Sequence, residues 1–462
     1  MTMISRLSFV IALALLFLAA LLGPVAGSMG VALVVAWLFL GGSAGALVHA
    51  MVNPNRGAAS LMAYFFFMFF VALPAVVQIS LDLFPWGSRY TPEHLGMTHT
   101  ILAMAMLSLM AGQAAVKTRG LPARPAAVPL QELEWNRYFM AVLVLLGLAF
   151  LAIVYVGPGV LVNTRGGLRE MATADGGARQ QIIFIGRSLA LLSLVILSYL
   201  FLNTPRGQRR PIYAVSIVAL PIGLLLFFPL SLPRFQMMGA ALALIVMFVN
   251  LYRPALKIVI GTVGGVFLFY VFPVIKVLTR GGSFTEFLDA LLGGRELYMY
   301  MLTADFDAYK QVTDTLIYYG YADHRWGYNF FGALLFFVPR ALWPSKPYDT
   351  GKYVSEGLGY TYTNVSNPLP AEAMAAFGLI GVVFILFLFG VLIAYIERRA
   401  LVATVTKSGP AALFVYALMA GYITIILRGA LNGVAPQFGS AFLACFLVWL
   451  AVRTTTPQRM RA

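Results

Sequence analysis

Apolar runs of about 20 residues recur along this chain, the length a helix needs to cross the hydrocarbon of a bilayer. They cover residues 7–26, 30–50, 59–79, 97–116, 138–156, 182–202, 212–230, 235–252, 258–277, 373–396, 411–427 and 434–452. The pattern predicts an all-α, polytopic transmembrane fold of about twelve helices. In lipid every backbone polar group must bond within the protein, which leaves bundled helices as the solution. Composition agrees: 61% of the 462 residues are hydrophobic and 11% charged, against roughly 25% charged in a soluble chain.

The net charge of +15 would suggest nucleic acid in a soluble protein. Here Lys and Arg gather in short loops between apolar runs, which is how membrane orientation is encoded, and no nucleic-acid partner is expected. The lone cysteine, Cys445, sits in an apolar run and excludes an internal disulfide or a thiolate cluster. Arg6 precedes an apolar run long enough to span and followed at once by another. It reads as a first anchor rather than a cleaved leader. The glycine-rich stretches 41–45 and 261–265 fall inside spans, where close helix packing explains them.

Counting basic residues at alternate loops orients the chain. One side carries Arg56; Lys117, Arg119, Arg124 and Arg137; Arg206, Arg209 and Arg210; Arg253 and Lys257; and Arg398, Arg399 and Lys407. The short loops of the other side carry fewer, so the first side is expected to be cytoplasmic, with both termini. Residues 278–370, the longest polar interval, then face outward, into the periplasm of a Gram-negative cell. They divide the chain into N-terminal helices (1–277), a large outer loop with short helices (278–370) and C-terminal helices (371–462). Within the loop, 330–339 is apolar but too short to span and reads as a re-entrant or interfacial segment.

The outer side holds more arginine than orientation requires. Arg165, Arg169 and Arg179 share one loop, Arg187 enters the next helix, and Arg234 follows Ser231-Leu232-Pro233. Arg280, Arg295, Arg325, Arg340, Lys346 and Lys352 punctuate the long loop. Snorkelling or pairing with local carboxylates accounts for single members. The set as a whole suits a phosphate or pyrophosphate headgroup, whose oxygens match guanidinium forks. If the ligand is a lipid-linked pyrophosphate sugar, departure of the pyrophosphate needs charge neutralisation more than a general acid. One base acting on an attacking hydroxyl then suffices.

Candidate bases are Glu372, Asp305 and His324, with Asp307 and Asp314 also available. Asp305-Phe306-Asp307 has the form of a metal-binding Asp-x-Asp, but amphipathic helical spacing explains it as well. The four histidines lack metal-ligand spacing, so no metal is expected. Trp326, Tyr328, Trp343 and Tyr348 are candidates to stack on sugar faces, with an interfacial belt as the plainer alternative.

The run Arg340-Ala341-Leu342-Trp343-Pro344-Ser345-Lys346-Pro347 is followed by Asn364-Val365-Ser366-Asn367-Pro368, Glu372 and Phe377-Gly378-Leu379-Ile380-Gly381. This pattern resembles bacterial O-antigen polymerases, the oligosaccharide repeat-unit polymerases often called Wzy. Thr164-Arg165-Gly166-Gly167-Leu168-Arg169 and Leu232-Pro233-Arg234 are similar to arginine-bearing stretches of the same family. The resemblance implies a GT-C-like, metal-independent membrane glycosyltransferase of the inner membrane, without a cofactor. It would join repeat units carried on undecaprenyl pyrophosphate, with Arg165, Arg169, Arg234, Arg340 and Lys346 holding pyrophosphate. A chain-length regulator and a repeat-unit flippase would be its partners.

Two alternatives remain. O-antigen ligases share this layout but usually show His-Asn or His-Ser in the large loop, where His324 here precedes Arg325. A polysaccharide or lipid transporter would more often show repeated halves, and no clear repeat is present. The orientation is testable. A cysteine placed at Ser345 is expected to react with a membrane-impermeant thiol reagent from outside intact spheroplasts; labelling only after lysis would invert the topology.

Overall fold

The computed structural model describes residues 3–116, 132–163, 178–293, 296–406 and 409–453. Every regular element among them is a helix. In chain order, the first six long helices are α1 (Met3–Leu22), α2 (Met29–Val52), α3 (Ala58–Leu81), α4 (Pro92–Ala115), α5 (Glu132–Val156) and α6 (Ala178–Asn203). Next come α7 (Arg210–Leu226), α8 (Arg234–Phe248) and α9 (Pro254–Val271). The long interval forms α10 (Ile275–Thr279), α11 (Phe284–Leu292), α12 (Leu297–Met301), α13 (Ala308–Tyr318), α14 (Tyr328–Leu334) and α15 (Thr350–Gly357). The chain closes with α16 (Leu369–Thr406), α17 (Ala411–Arg428) and α18 (Leu431–Arg453).

Every apolar run is mostly helical, and ten helices among the described residues are long and apolar enough to cross a membrane. The protein is therefore a multi-pass helical membrane protein. The two remaining runs are shorter than expected, with 17 residues in α7 and 15 in α8. At 1.5 Å per residue they reach about 25 and 22 Å, less than a hydrocarbon core of about 30 Å. Pro229 and Pro233 lie in the connection between them, where a missing N–H and fixed φ interrupt helix. The four-residue helix Pro158–Leu161 ends the stretch before residue 164.

One close approach sets the working end of the bundle. A Cβ built on Gly239 of α8 would stand 2.3 Å from the Gly421 carbonyl oxygen of α17, and one on Gly421 would stand 2.5 Å from the Gly239 oxygen. The two backbones therefore touch, as small residues allow between membrane helices. Phe235, before Gly239, meets Arg428, after Gly421, so the helices run antiparallel. The start of α8 and the end of α17 thus reach the same end of the bundle.

At the opposite end, buried Lys257 of α9 donates to the carbonyls of Ala50, Asn53 and Arg56, satisfying the C-terminus of α2. Glu397 of α16 accepts from the Ser60 N–H and hydroxyl at 2.7 Å each, fixing the start of α3.

The long interval packs onto the bundle rather than standing away from it. Gln78, near the far end of α3, donates to the carbonyls of Met301 and Phe306. The α13 helix buries Lys310, Gln311, Thr313, Asp314 and Thr315. Lys310 pairs with Asp314, which also accepts from Tyr90 at 2.6 Å and Tyr360 at 3.0 Å. The apolar segment 330–339 contributes to α14, and its Phe330, Ala333 and Phe336 pack on Leu431, Ala435 and Phe438 of α18.

Gly421→Val is expected to force α8 and α17 apart at a cost of about 1–3 kcal/mol, the usual range for overpacking. Size-exclusion recovery after heating in detergent should show a lower midpoint, and a smaller loss for Gly421→Ala. An unchanged midpoint for both would mean the backbones do not meet there.

Candidate functional site

Two polar centres meet at the end of the bundle that carries the long interval. The first is cationic. Arg234 opens α8, directly after Pro233, and is almost fully buried. Its Nη2 donates to both oxygens of Asp305 at 2.8 Å, and its Nη1 donates to the Phe272 carbonyl. Arg428, the last residue of α17, donates to the carbonyls of Ala304 and Asp305 and to Asp307 Oδ1 at 3.1 Å. Asp307 Oδ2 accepts the Ser366 N–H. Lys276 of α10 stands 3.8 Å from Asp305 and is partly exposed.

Both guanidiniums also lie over aromatic rings, Arg234 over Phe272 and Arg428 over Phe235, and those two rings are themselves 4.9 Å apart. Cation–π contact of this kind strengthens when water is excluded. Among the described residues, Arg234, Arg428 and Lys276 lie against the carboxylates of Asp305 and Asp307. Burial alone would raise the proton affinity of Asp305, but Arg234, Arg428 and Lys276 outweigh it and hold the carboxyl below its usual range. Asp305 is therefore a poor proton acceptor and acts instead as the counter-ion of Arg234.

The second centre is acidic. Glu372, in the first turn of α16, has no exposure. Its Oε2 accepts from Asn329 at 2.6 Å and from Thr350 at 2.7 Å, and its Oε1 accepts the Leu431 N–H at 2.9 Å. That last bond satisfies one of the free N–H groups at the start of α18. Asp349, just before α15, lies against Gly433 in the same turn of α18, where a Cβ would come within 2.8 Å of its carboxylate. Burial, then the charge of Glu372, pushes the Asp349 carboxyl up to about 6 against the opposing pull of Arg340 and Lys352. Both side-chain atoms of Asn432 are buried with no partner among the described residues.

The turn between α17 and α18 connects the centres. Arg428 grips Asp307, and three residues later Leu431 grips Glu372. Three residues reach at most about 10 Å between α-carbons, so one short turn carries a contact to each centre.

Of the residues singled out from sequence, Arg234, Asp305 and Glu372 belong to these centres. Arg187 is buried and donates to the Leu226 carbonyl and to Gln236 and Ser231, which flank Arg234 in the chain. Arg340 donates to the carbonyls of Lys346 and Pro347 and stacks on Tyr348, while Lys346 donates to those of Phe336 and Val338. Both are used in knitting their own loop. Burial, with Arg340 nearby, also lowers the proton affinity of Lys346. Arg280 is exposed after α10. Tyr328 and Trp343 meet edge to face and share Ser345, and Trp326 is highly exposed. His324 stacks on Tyr319. Arg165 and Arg169 lie outside the described residues.

Sequence reasoning passed over Arg428, Asp349 and Asn432. Arg428 counted only as an outer-loop charge, and Asp349 lies among more conspicuous aromatics. Among the described residues, no group of three or more His, Cys, Asp or Glu forms a metal-ligand set. Comparison of the chain with protein-family models, with curated proteins and with solved structures finds no match.

Arg428→Met would strand the carboxylate of Asp307, which is 1% exposed. It is expected to destabilise the protein by about 3–5 kcal/mol, with Asp307→Asn recovering much of that loss in the double variant. Thermal midpoints of the cycle check it; a double-variant loss equal to the sum of the two single losses would show that the pair is not coupled.

Proposed function

We propose that this protein is a membrane glycosyltransferase that polymerises oligosaccharide repeat units carried on undecaprenyl pyrophosphate, at the outer face of a bacterial inner membrane. The observation that carries this reading is the α17–α18 turn, which ties the Arg234–Arg428 centre to the Asp349–Glu372 pair. Two of the Wzy-like positions, Arg234 and Glu372, belong to these two centres.

In this reading, Arg234, Arg428 and Lys276 neutralise the pyrophosphate of the growing chain, as charge developing on a leaving group demands. A hydroxyl of the incoming unit attacks the anomeric carbon, the bond from that carbon to the pyrophosphate oxygen breaks, and undecaprenyl pyrophosphate departs. Asp349 takes the hydroxyl proton. Its raised proton affinity suits a general base better than Asp305, which is held ionised. Glu372, with both oxygens committed to donors, orients Thr350 and the start of α18 rather than accepting the proton. A GT-C-like arrangement of about twelve spans, cytoplasmic termini and the family's regulator and flippase partners belong to the same proposal.

The test is reconstitution in liposomes with undecaprenyl-pyrophosphate-linked repeat units, read as product length on a gel. A ladder of unit multiples that persists in EDTA is expected. A base must be ionised to act, so the rate should rise about tenfold per unit of pH below about 6 and level off above it. Asp349→Asn should lower the rate by roughly a hundredfold or more with the protein still inserted. Wild-type ladders from Asp349→Asn and Arg234→Ala would overturn the assignment of roles. Transfer only when lipid A core is supplied would make the protein a ligase, and absence of both products would leave transport.

A further inference from the structure

One helix of the long interval leaves an apolar stripe uncovered. Helix α11 has no buried residue, and its Phe284, Leu288 and Leu292 are 64%, 37% and 81% exposed. At about 100° per residue these three, with Phe287 and Leu291, fill one arc of about 140°. Thr285, Glu286 and Asp289 occupy the rest of the circumference. Ser283 caps the helix by accepting the Glu286 N–H, so the segment is built to be helical without help from neighbours.

The place of α11 in the fold says what covers the stripe. Helix α9 is long and apolar enough to cross a membrane, and its Val259, Val263, Val266 and Tyr270 are exposed at spacings of three and four, a face turned to lipid. Its 18 residues rise about 27 Å, close to a hydrocarbon core of about 30 Å. The far end of α9 therefore stands at a headgroup boundary, where exposed Tyr270 suits an interfacial aromatic. The Phe272 carbonyl, just beyond, accepts from Arg234, so this boundary lies at the end of the bundle that carries both centres.

Helix α11 is held near that level. After α10 the chain turns through Gly281, at φ 91°, and the Gly282 N–H donates to the Val277 carbonyl at 2.9 Å. A Cβ on Gly282 would stand 2.6 Å from Val277 Cγ1, so the turn leaves no room to separate the two helices. Lys276 in α10 and Arg280 after it are long basic side chains of the kind that reach the level of lipid phosphates. An apolar stripe in line with a lipid-facing helix, beside such cations, matches a helix lying in the membrane surface.

We infer that α11 is a membrane-contact helix, seated in the headgroup–acyl boundary of the leaflet at the site's end of the bundle. Phe284, Leu288 and Leu292 enter the acyl layer, and Glu286 and Asp289 face water. The partner is the acyl and glycerol region of ordinary phospholipid, because the polar side of α11 is acidic and offers nothing to an anionic headgroup. Through the Gly281–Gly282 turn, this seat also steadies α10, whose Lys276 stands 3.8 Å from Asp305. The inference goes beyond the glycosyltransferase reading and holds whatever ligand the two centres take.

The experiment is spin labelling of the full-length protein in proteoliposomes, with buried Cys445 replaced by alanine. Single labels are placed on the stripe, by Phe284→Cys, Leu288→Cys or Leu292→Cys, and on the polar side, by Glu286→Cys or Asp289→Cys. Power saturation with oxygen, which partitions into lipid, and with a water-soluble nickel chelate reads the depth of each label. Stripe labels are expected about 5–10 Å into the headgroup–acyl boundary, and polar-side labels in water. The depths should be the same in phosphatidylcholine vesicles with and without phosphatidylglycerol. Adding Leu288→Glu should lift the label of Leu292→Cys toward water. Gel-filtration profiles matching the wild type verify that the variants fold. Equal collision with the nickel chelate on both sides would put α11 in solution and overturn the inference. Protection of the stripe from both reagents would mean that protein covers it, a second copy or another chain, and would overturn it as well. Depth that depends on phosphatidylglycerol would replace the acyl region by an anionic headgroup as the partner and overturn the assignment.

Discussion

Two guanidinium groups, those of Arg234 and Arg428, are held at one end of an apolar bundle, where neither would be stable without compensation. Much of the neighbouring structure supplies that compensation. The backbone contact of Gly239 with Gly421 brings the two helix ends together. Phe235 and Phe272 lie under the charges, Asp305 and Asp307 answer them, and the interval that delivers those carboxylates is anchored by Gln78 and by α13. A buried ion pair seldom repays its desolvation in stability alone.

The acidic centre gives two neighbouring carboxyls different surroundings. Glu372 is enclosed and accepts three hydrogen bonds, so it is fixed in position. Asp349 sits beside the exposed Gly433, with the charge of Glu372 nearby and a raised proton affinity. Coupling through a turn of three residues also means that any shift of α17 against α8 would move both centres together.

The membrane class and the helices were legible because lipid imposes a length and a polarity on each span, and those appear directly as apolar runs. What composition did not expose was shortening by local chemistry, as at Pro229 and Pro233, or the break at Gly378 inside a run that reads as one helix. The site was half legible. Arg234 and Glu372 stood out because charge next to hydrocarbon is rare. Arg340 and Lys346 stood out as cations of the long outer loop within the Wzy-like stretch, yet they bond to carbonyls of their own loop. A pattern of arginines cannot say which guanidinium will be absorbed by nearby backbone and which will meet its counterpart across 194 positions, as Arg428 meets Arg234 beside Asp305. That depends on helix packing, which the apolar runs leave undetermined.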